Sequence, residues 1–272
     1  MQFAYVKQLA EAVGNEKVRD VIVTVPPYYS QFERDAVVDA IEISGLRTLA
    51  LINDGTAVAV NYAMTRSFPK QEYHIIYDAG ASSIRATIVS FSTSTDAKTG
   101  VAGTSIAVVG VGYDRTVGGT ELDRRLREIF IEIFNAKHKK NIREDKKGMA
   151  KLWKETKRVK GVLSANTEAT AIVESLAWDI DFRETITRPI FEAACEDLKP
   201  IYAQPIYDAL HNAGLTIVSS SIRKCSSSHS VSQDDIKSVI LTGGSSRTPM
   251  IRASVKAAVG GYVSVLTLDS SS

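Results

Sequence analysis

Apolar and polar positions along this chain follow two periods in turn. Phe3, Val6, Ala10 and Val13 recur at helical spacing, so a helix is expected over 3–13. Residues 20–25, Asp-Val-Ile-Val-Thr-Val, read as a strand closed by Pro26-Pro27. Ser30 and Glu33 form a capping box, and the helix that they open carries Ala36, Val37, Ala40, Ile41 and Ser44 on one face. Gly45 ends it as a left-handed C-terminal cap. A strand over 48–52 follows, and Asp54 caps a helix of small residues over 56–63. The chain then changes period. His74-Ile75-Ile76-Tyr77 reads as a buried strand ending at Asp78, Gly80-Ala81-Ser82-Ser83 as a small-residue turn, and 85–91 as a second strand. A third strand is expected over 104–110, after a turn region over 96–103, completing three antiparallel strands.

Helical spacing returns at Leu122, Leu126, Ile129, Phe130, Ile133 and Phe134, behind the start Gly118-Gly119-Thr120-Glu121-Leu122-Asp123. Residues 149–164 continue it with Met149, Leu152, Trp153, Thr156, Val159 and Leu163. Leu176, Trp178, Ile180 and Phe182 alternate with polar or small residues, which predicts a half-buried strand there. Helices resume near Pro189 and run to Asn212, with breaks allowed at Pro200 and Pro205. Eight of the fourteen residues from 219 to 232 are serine, so this stretch is expected to be a mobile loop. A strand over 238–242, the turn Gly243-Gly244-Ser245-Ser246-Arg247, and a helix with Pro249 in its first turn close the pattern at Gly260-Gly261.

Composition adds little to this reading. At 272 residues the chain is long enough for one large or two moderate cores, and 44% apolar with 24% charged residues is ordinary for a globular protein. No run approaches the length of a membrane span, and no secretory signal opens the chain. Two cysteines make neither a disulfide framework nor a metal site, and Cys195 falls on the apolar stripe of Phe191, Ala194 and Leu198. The net charge is only +2, yet residues 137–160 hold eleven Lys/Arg against three Asp/Glu. Such a stretch attracts nucleic acid or phosphate, or is a solvated helix face; a lone aromatic, Trp153, is no interleaving, which favours the second.

Three places carry candidate chemistry. The turn after Asp78 exposes backbone N–H groups that can cradle phosphate oxygens, with the Ser82 and Ser83 hydroxyls as further donors. A carboxylate such as Asp78 at a strand end can hold Mg²⁺, usually through water, or simply end a turn. Gly118 and Gly119 before a helix either admit an anion or make a plain tight turn.

The order of these motifs gives them meaning. Val23-Thr24-Val25-Pro26-Pro27, Asn53-Asp54-Gly55-Thr56-Ala57, Asp78-Ala79-Gly80, Val117-Gly118-Gly119-Thr120-Glu121-Leu122-Asp123 and Leu241-Thr242-Gly243-Gly244-Ser245-Ser246-Arg247 together resemble the nucleotide-binding domain of the seventy-kilodalton heat-shock chaperone family. The likeness covers most of residues 3–260. Residues 111–115 and 158–166 look like the large, divergent branch, which includes the hypoxia-upregulated chaperones of the endoplasmic reticulum and their cytosolic relatives.

The resemblance implies an α/β, ribonuclease-H-like or actin-like ATPase fold of two lobes. It assigns 1–73 to the later part of lobe I, 74–112 to core strands of lobe II, and 113–190 to its upper helical and strand subdomain. Residues 191–262 would be lobe II core around the loop 219–232, and 263–272 a tail. ATP or ADP with Mg²⁺ would bind between the lobes, with Asp54 and Asp78 as catalytic residues and Asp78 at the metal. Gly80, Ala81, Ser82, Ser83, Gly118 and Gly119 would line the phosphates. Lys157, Lys160 and Ser164 would face the adenosine, and Gly243, Gly244, Ser245, Ser246 and Arg247 would close the other side, Arg247 stacking on the base.

The implied function is an ATP-binding chaperone domain that assists folding through an ATP-driven cycle, or a nucleotide-exchange module with little hydrolysis of its own. Unfolded polypeptides and another heat-shock chaperone are the implied partners, without nucleic acid or membrane, in the endoplasmic-reticulum lumen or alternatively the cytoplasm.

Several positions depart from the family pattern. Gly80-Ala81-Ser82-Ser83 stands for a Gly-Gly-Gly-Thr turn, Arg85 for a metal-side Asp, Lys157 for a Glu, and Asp54 for a Glu. The likeness begins after the family's first phosphate hairpin and lysine and stops before its last acidic motif, so a fragment with weak ATP turnover is expected.

Overall fold

In the computed structural model, residues 1–95, 102–214, 236–260 and 263–267 are described. The serine-rich stretch 219–232 lies outside them. The chain divides into two compact units, one of Met1–Glu72 with Val89–Val108 and the other of Tyr73–Ile88 with Val109–Ser272.

The first unit holds α1 (Gln2–Gly14), β1 (Asp20–Val25), α2 (Gln31–Ile43), β2 (Arg47–Asn53) and α3 (Asp54–Ala63), with β1 and β2 paired in parallel. Both expected ends of α2 are present. The Ser30 backbone N–H donates to Glu33 Oε2 at 2.7 Å, and the Glu33 N–H donates to Ser30 Oγ at 3.4 Å. At the other end Gly45 has φ 74°, its N–H donates to Glu42 O, and the Leu46 N–H donates to Ile41 O. This is a Schellman closure, sealed by the buried pair Leu46 and Ile41. Two readings shift. No residue of α1 is fully buried, and Val13 is 90% exposed despite its helical spacing. Asn53, not Asp54, occupies the cap of α3; Asp54 sits in the first turn and accepts the Gly55 N–H at 2.7 Å. Phe68 stacks on Phe91 at 4.6 Å, with Tyr62 beside them.

The second unit is built on a five-stranded sheet. Its strands are β3 (Glu72–Ala79), β4 (Ile84–Thr95), β5 (Ala102–Asp114), β8 (Ile236–Thr242) and β9 (Ser264–Thr267), in the order β5-β4-β3-β8-β9. Some residues of β3, β4 and β5 belong to the first unit. β8 runs parallel to both β3 and β9. Between β5 and β8 come α4 (Gly119–His138), a short 3-10 turn, α5 (Lys146–Ala165), the antiparallel hairpin β6 (Glu168–Ala177) and β7 (Ile180–Thr187), α6 (Arg188–Ala193) and α7 (Lys199–Asn212). α8 (Pro249–Val259) follows β8. Strand β3 is buried on both faces over His74–Tyr77, as suits a strand with neighbours on either side. Its buried His74 bonds across the sheet, Nδ1 lying 2.8 Å from Ser238 Oγ on the paired position of β8.

The strand expected near 176–182 is two strands, β6 ending at Ala177 and β7 starting at Ile180, joined by a tight turn. Trp178 and Asp179 both take positive φ, 49° and 58°, and Ala177 pairs with Ile180. A two-residue turn of this kind favours Asn-Gly, so the sequence hides it. Packing holds it: Trp178 stacks near Phe134 at 6.4 Å, and the Lys140 ammonium lies 5.0 Å from its ring. Much of the basic stretch is likewise committed to contacts, Lys137 to Glu184 and Arg143 to Glu128. Among the described residues no helix is long and apolar enough to cross a membrane.

Glycines set how closely β5 approaches α7. A Cβ at Gly110 would lie 2.2 Å from Ala209 O, and one at Gly112 2.1 Å from Pro205 O. Both obstacles are backbone, which cannot rotate aside. Gly110→Val is therefore expected to lower the melting temperature by roughly 5 °C or more. Gly161→Ala, on α5 with nothing within 4 Å of the added carbon, should leave it unchanged or raise it. Thermal unfolding followed by circular dichroism separates the two outcomes.

Candidate functional site

Two turns at the ends of neighbouring parallel strands define the site. Asp78, next to last in β3, pairs in register with Thr242 at the end of β8, so the turn over 80–83 and the turn over 243–247 leave the sheet side by side. The first is closed by the Gly80 N–H on Ser83 O at 3.0 Å. The second opens at Gly243 with φ 80°, where a Cβ would lie 2.3 Å from Asp78 Oδ1 and 2.4 Å from Ala79 O. Only glycine satisfies both demands. A short 3-10 turn over Gly244–Arg247 follows, in which Ser246 donates through both N–H and Oγ to Gly243 O.

The start of α4 docks on the first turn. Gly119 N–H donates to Gly80 O at 3.0 Å, and Thr120 N–H to Ala81 O at 2.8 Å. Gly118 permits this, because a Cβ there would meet Ala81 O at 2.5 Å and Ser82 N at 2.8 Å. Gly119 in turn lies against Ser245, whose Oγ would be 2.1 Å from an added Cβ. Lys160 reaches across from α5, donating to Gly119 O at 2.9 Å and pairing with the buried Asp123 at 2.8 Å. The Tyr77 hydroxyl donates to Tyr202 O at 2.7 Å, and the Tyr202 hydroxyl to Gly118 O at 3.2 Å. Burial pushes both phenols far above their ordinary range, so each stays a donor.

Asp78 is paired. Arg85, seven residues on in the same hairpin, donates from its guanidinium to Asp78 Oδ2. Among the described residues no group of three or more His, Cys, Asp or Glu could hold a metal ion.

Thus Asp78, Gly80, Ala81, Ser82, Gly118, Gly119, Lys160, Gly243 and Ser245 come together, with buried Ser83 and Ser246 closing the two turns. Gly244 borders open space, with nothing within 4 Å of an added Cβ, and Arg247 is exposed beside it. Ser164 is folded back on Lys160 O at 3.1 Å. Lys157 is exposed, its ammonium 5.2 Å from the Trp153 ring. Asp54 belongs to the first unit. Sequence reasoning gave no role to Asp123, Tyr77 or Tyr202. Asp123 follows Leu122 within the helix pattern, where an acid reads as solvent-facing, and the two tyrosines read as core.

A family model described as Hsp70 protein matches residues 1–265. The chain is 41% identical over 263 residues to hypoxia up-regulated protein 1 of Danio rerio, covering 94% of this chain and 25% of that protein. It is 39% identical over 267 residues to the Xenopus laevis protein of the same name, 96% of this chain and 38% of that one. With the Schizosaccharomyces pombe heat shock protein 70 homolog lhs1 it shares 37% identity over 250 residues, 91% of this chain and 28% of that protein. The chain therefore spans between a quarter and two fifths of the length of these relatives.

Glu121, in the first turn of α4, bridges Arg124 and Arg125, and Arg125 continues to Asp197 at 2.6 Å. The Arg124 guanidinium, helped by Arg125, holds the Glu121 carboxyl below its ordinary 4.5 against a partial burial that pushes the other way. Ionised Glu121 therefore stabilises the fold above pH 4.5, and that contribution is lost as the pH falls through the lowered folded value. Glu121→Gln should cost about 0.5–1 kcal/mol at neutral pH, given solvent screening, and the difference should vanish in acid. Denaturant titrations of both proteins across this range measure it.

Proposed function

The chain belongs to the Hsp70 protein family, and from that premise we propose that its second unit is the adenine-nucleotide site of a chaperone ATPase domain. One observation carries the reading: two glycine turns, 80–83 and 243–247, lie side by side at the ends of the parallel strands β3 and β8. Exposed Ala81 and Ser82 offer amides and a hydroxyl to phosphate oxygens, and the open space over Gly244 beside exposed Arg247 suits a base. Lys160 acts here through the protein, holding the start of α4 against its own turn. In the longer protein, nucleotide turnover would drive a cycle acting on unfolded polypeptides together with a second heat-shock chaperone. The likeness to hypoxia up-regulated protein 1 favours the endoplasmic-reticulum lumen as the compartment.

A second reading is a nucleotide-exchange module that binds nucleotide and hydrolyses little. The Asp78–Arg85 pair favours it, because a carboxylate already neutralised by a guanidinium orders a metal or a water less strongly.

Titration of a fluorescent adenine nucleotide into the full chain tests the site. Arg247→Ala should weaken binding by about 1–2 kcal/mol through lost stacking. Gly244→Val should block binding while leaving the melting temperature intact, because its side chain enters open space. Equal affinity for all three proteins would remove the nucleotide reading. Binding without turnover would select the exchange module.

A further inference from the structure

Asp78 is a half-buried carboxylate with a neighbour at each oxygen. Oδ2 accepts from the Arg85 guanidinium, and Oδ1 faces Gly243, where even a methyl group would come within 2.3 Å. The two side chains are only 19% and 13% exposed. A magnesium ion that travels with a nucleotide keeps several waters and takes one or two free carboxylates from the protein. Among the described residues no group of three or more ligating side chains stands here, and the carboxylate at the turn already carries a cation. The family implies a nucleotide that travels with Mg²⁺; the residues at this turn do not fit a protein-held ion.

An unpaired carboxylate beside a phosphate-binding turn would repel the phosphates, and more strongly here than in water because solvent is partly excluded. Arg85 removes that repulsion. Its charge is permanent, and it is tethered seven residues away in the same hairpin. Lys160 does not do this work, since its ammonium is spent on Asp123 and Gly119 O. We infer that Arg85 is the resident cation of the turn over 80–83, so that an adenine nucleotide binds there without a divalent ion to neutralise Asp78. This rests on the nucleotide reading above.

Calorimetric titration of ADP into the full chain, once with magnesium and once with excess EDTA, tests it. The wild type should bind with affinities within about threefold of each other. Arg85→Ala should lose about tenfold or more in EDTA, the scale of a charge-assisted contact, and regain most of it with magnesium. Adding Asp78→Asn to that variant should abolish the magnesium dependence again. A purely structural role for Arg85 would weaken binding equally with and without the metal, and that result would overturn the inference. So would a wild type that binds about tenfold tighter with magnesium. Should Arg85→Ala fail to fold, Arg85→Lys, which keeps the charge, and the wild-type comparison decide alone. Absence of ADP binding to the wild type in both buffers would overturn the nucleotide reading and this inference together, whereas strong magnesium dependence overturns only the latter.

Discussion

Two backbone hydrogen bonds, from Gly119 N–H to Gly80 O and from Thr120 N–H to Ala81 O, tie the first turn of α4 to the turn after β3. Other features of the site depend on that tie. It requires a residue without Cβ at 118, and it places Gly119 where Ser245 of the second turn and Lys160 of α5 reach it. The donors that a helix start usually leaves to caps, water or ligands are here partly spent on the protein's own carbonyls. Any anion at this turn must therefore be met by the amides and hydroxyl over 81–82, and less by the helix start.

The same economy governs the charges. Asp78 is answered by Arg85, Asp123 by Lys160, and Glu121 by Arg124 and Arg125. Leaving one partner of a poorly solvated pair alone costs far more than the pair is worth, so each is fixed by its opposite. What remains outward-facing is small or cationic: Ala81, Ser82, Gly244 and Arg247. The buried thiol of Cys195, pushed up to about 12 by desolvation, adds no reactive group.

The tyrosine relay shows how the core positions the site. Tyr77 lies in β3 and Tyr202 in α7, yet their hydroxyls lead from the strand to the helix and on to Gly118 O. The close approach of α7 to Gly110 and Gly112 of β5 brings that helix near enough for the chain to form. A change in helix packing at β5 would thus be felt at the start of α4.

Where structure follows from neighbours in sequence, the sequence alone determined it. The capping box of Ser30 and Glu33 and the left-handed closure at Gly45 involve partners within five residues, and their spacing encodes them. The order of the glycine turns was enough to place the chain in its family. Only the tertiary structure decided what depends on distant partners. The pairing of His74 with Ser238 joins residues 164 apart, and Lys160 meets Gly119 across 41. No residue type announces that Asp78 will be met by Arg85, since a carboxylate at a strand end reads equally as a metal ligand. The hairpin at Trp178-Asp179 was hidden for the same reason. Its positive φ values contradict local preference and hold because Phe134 and Lys140 pack against the indole.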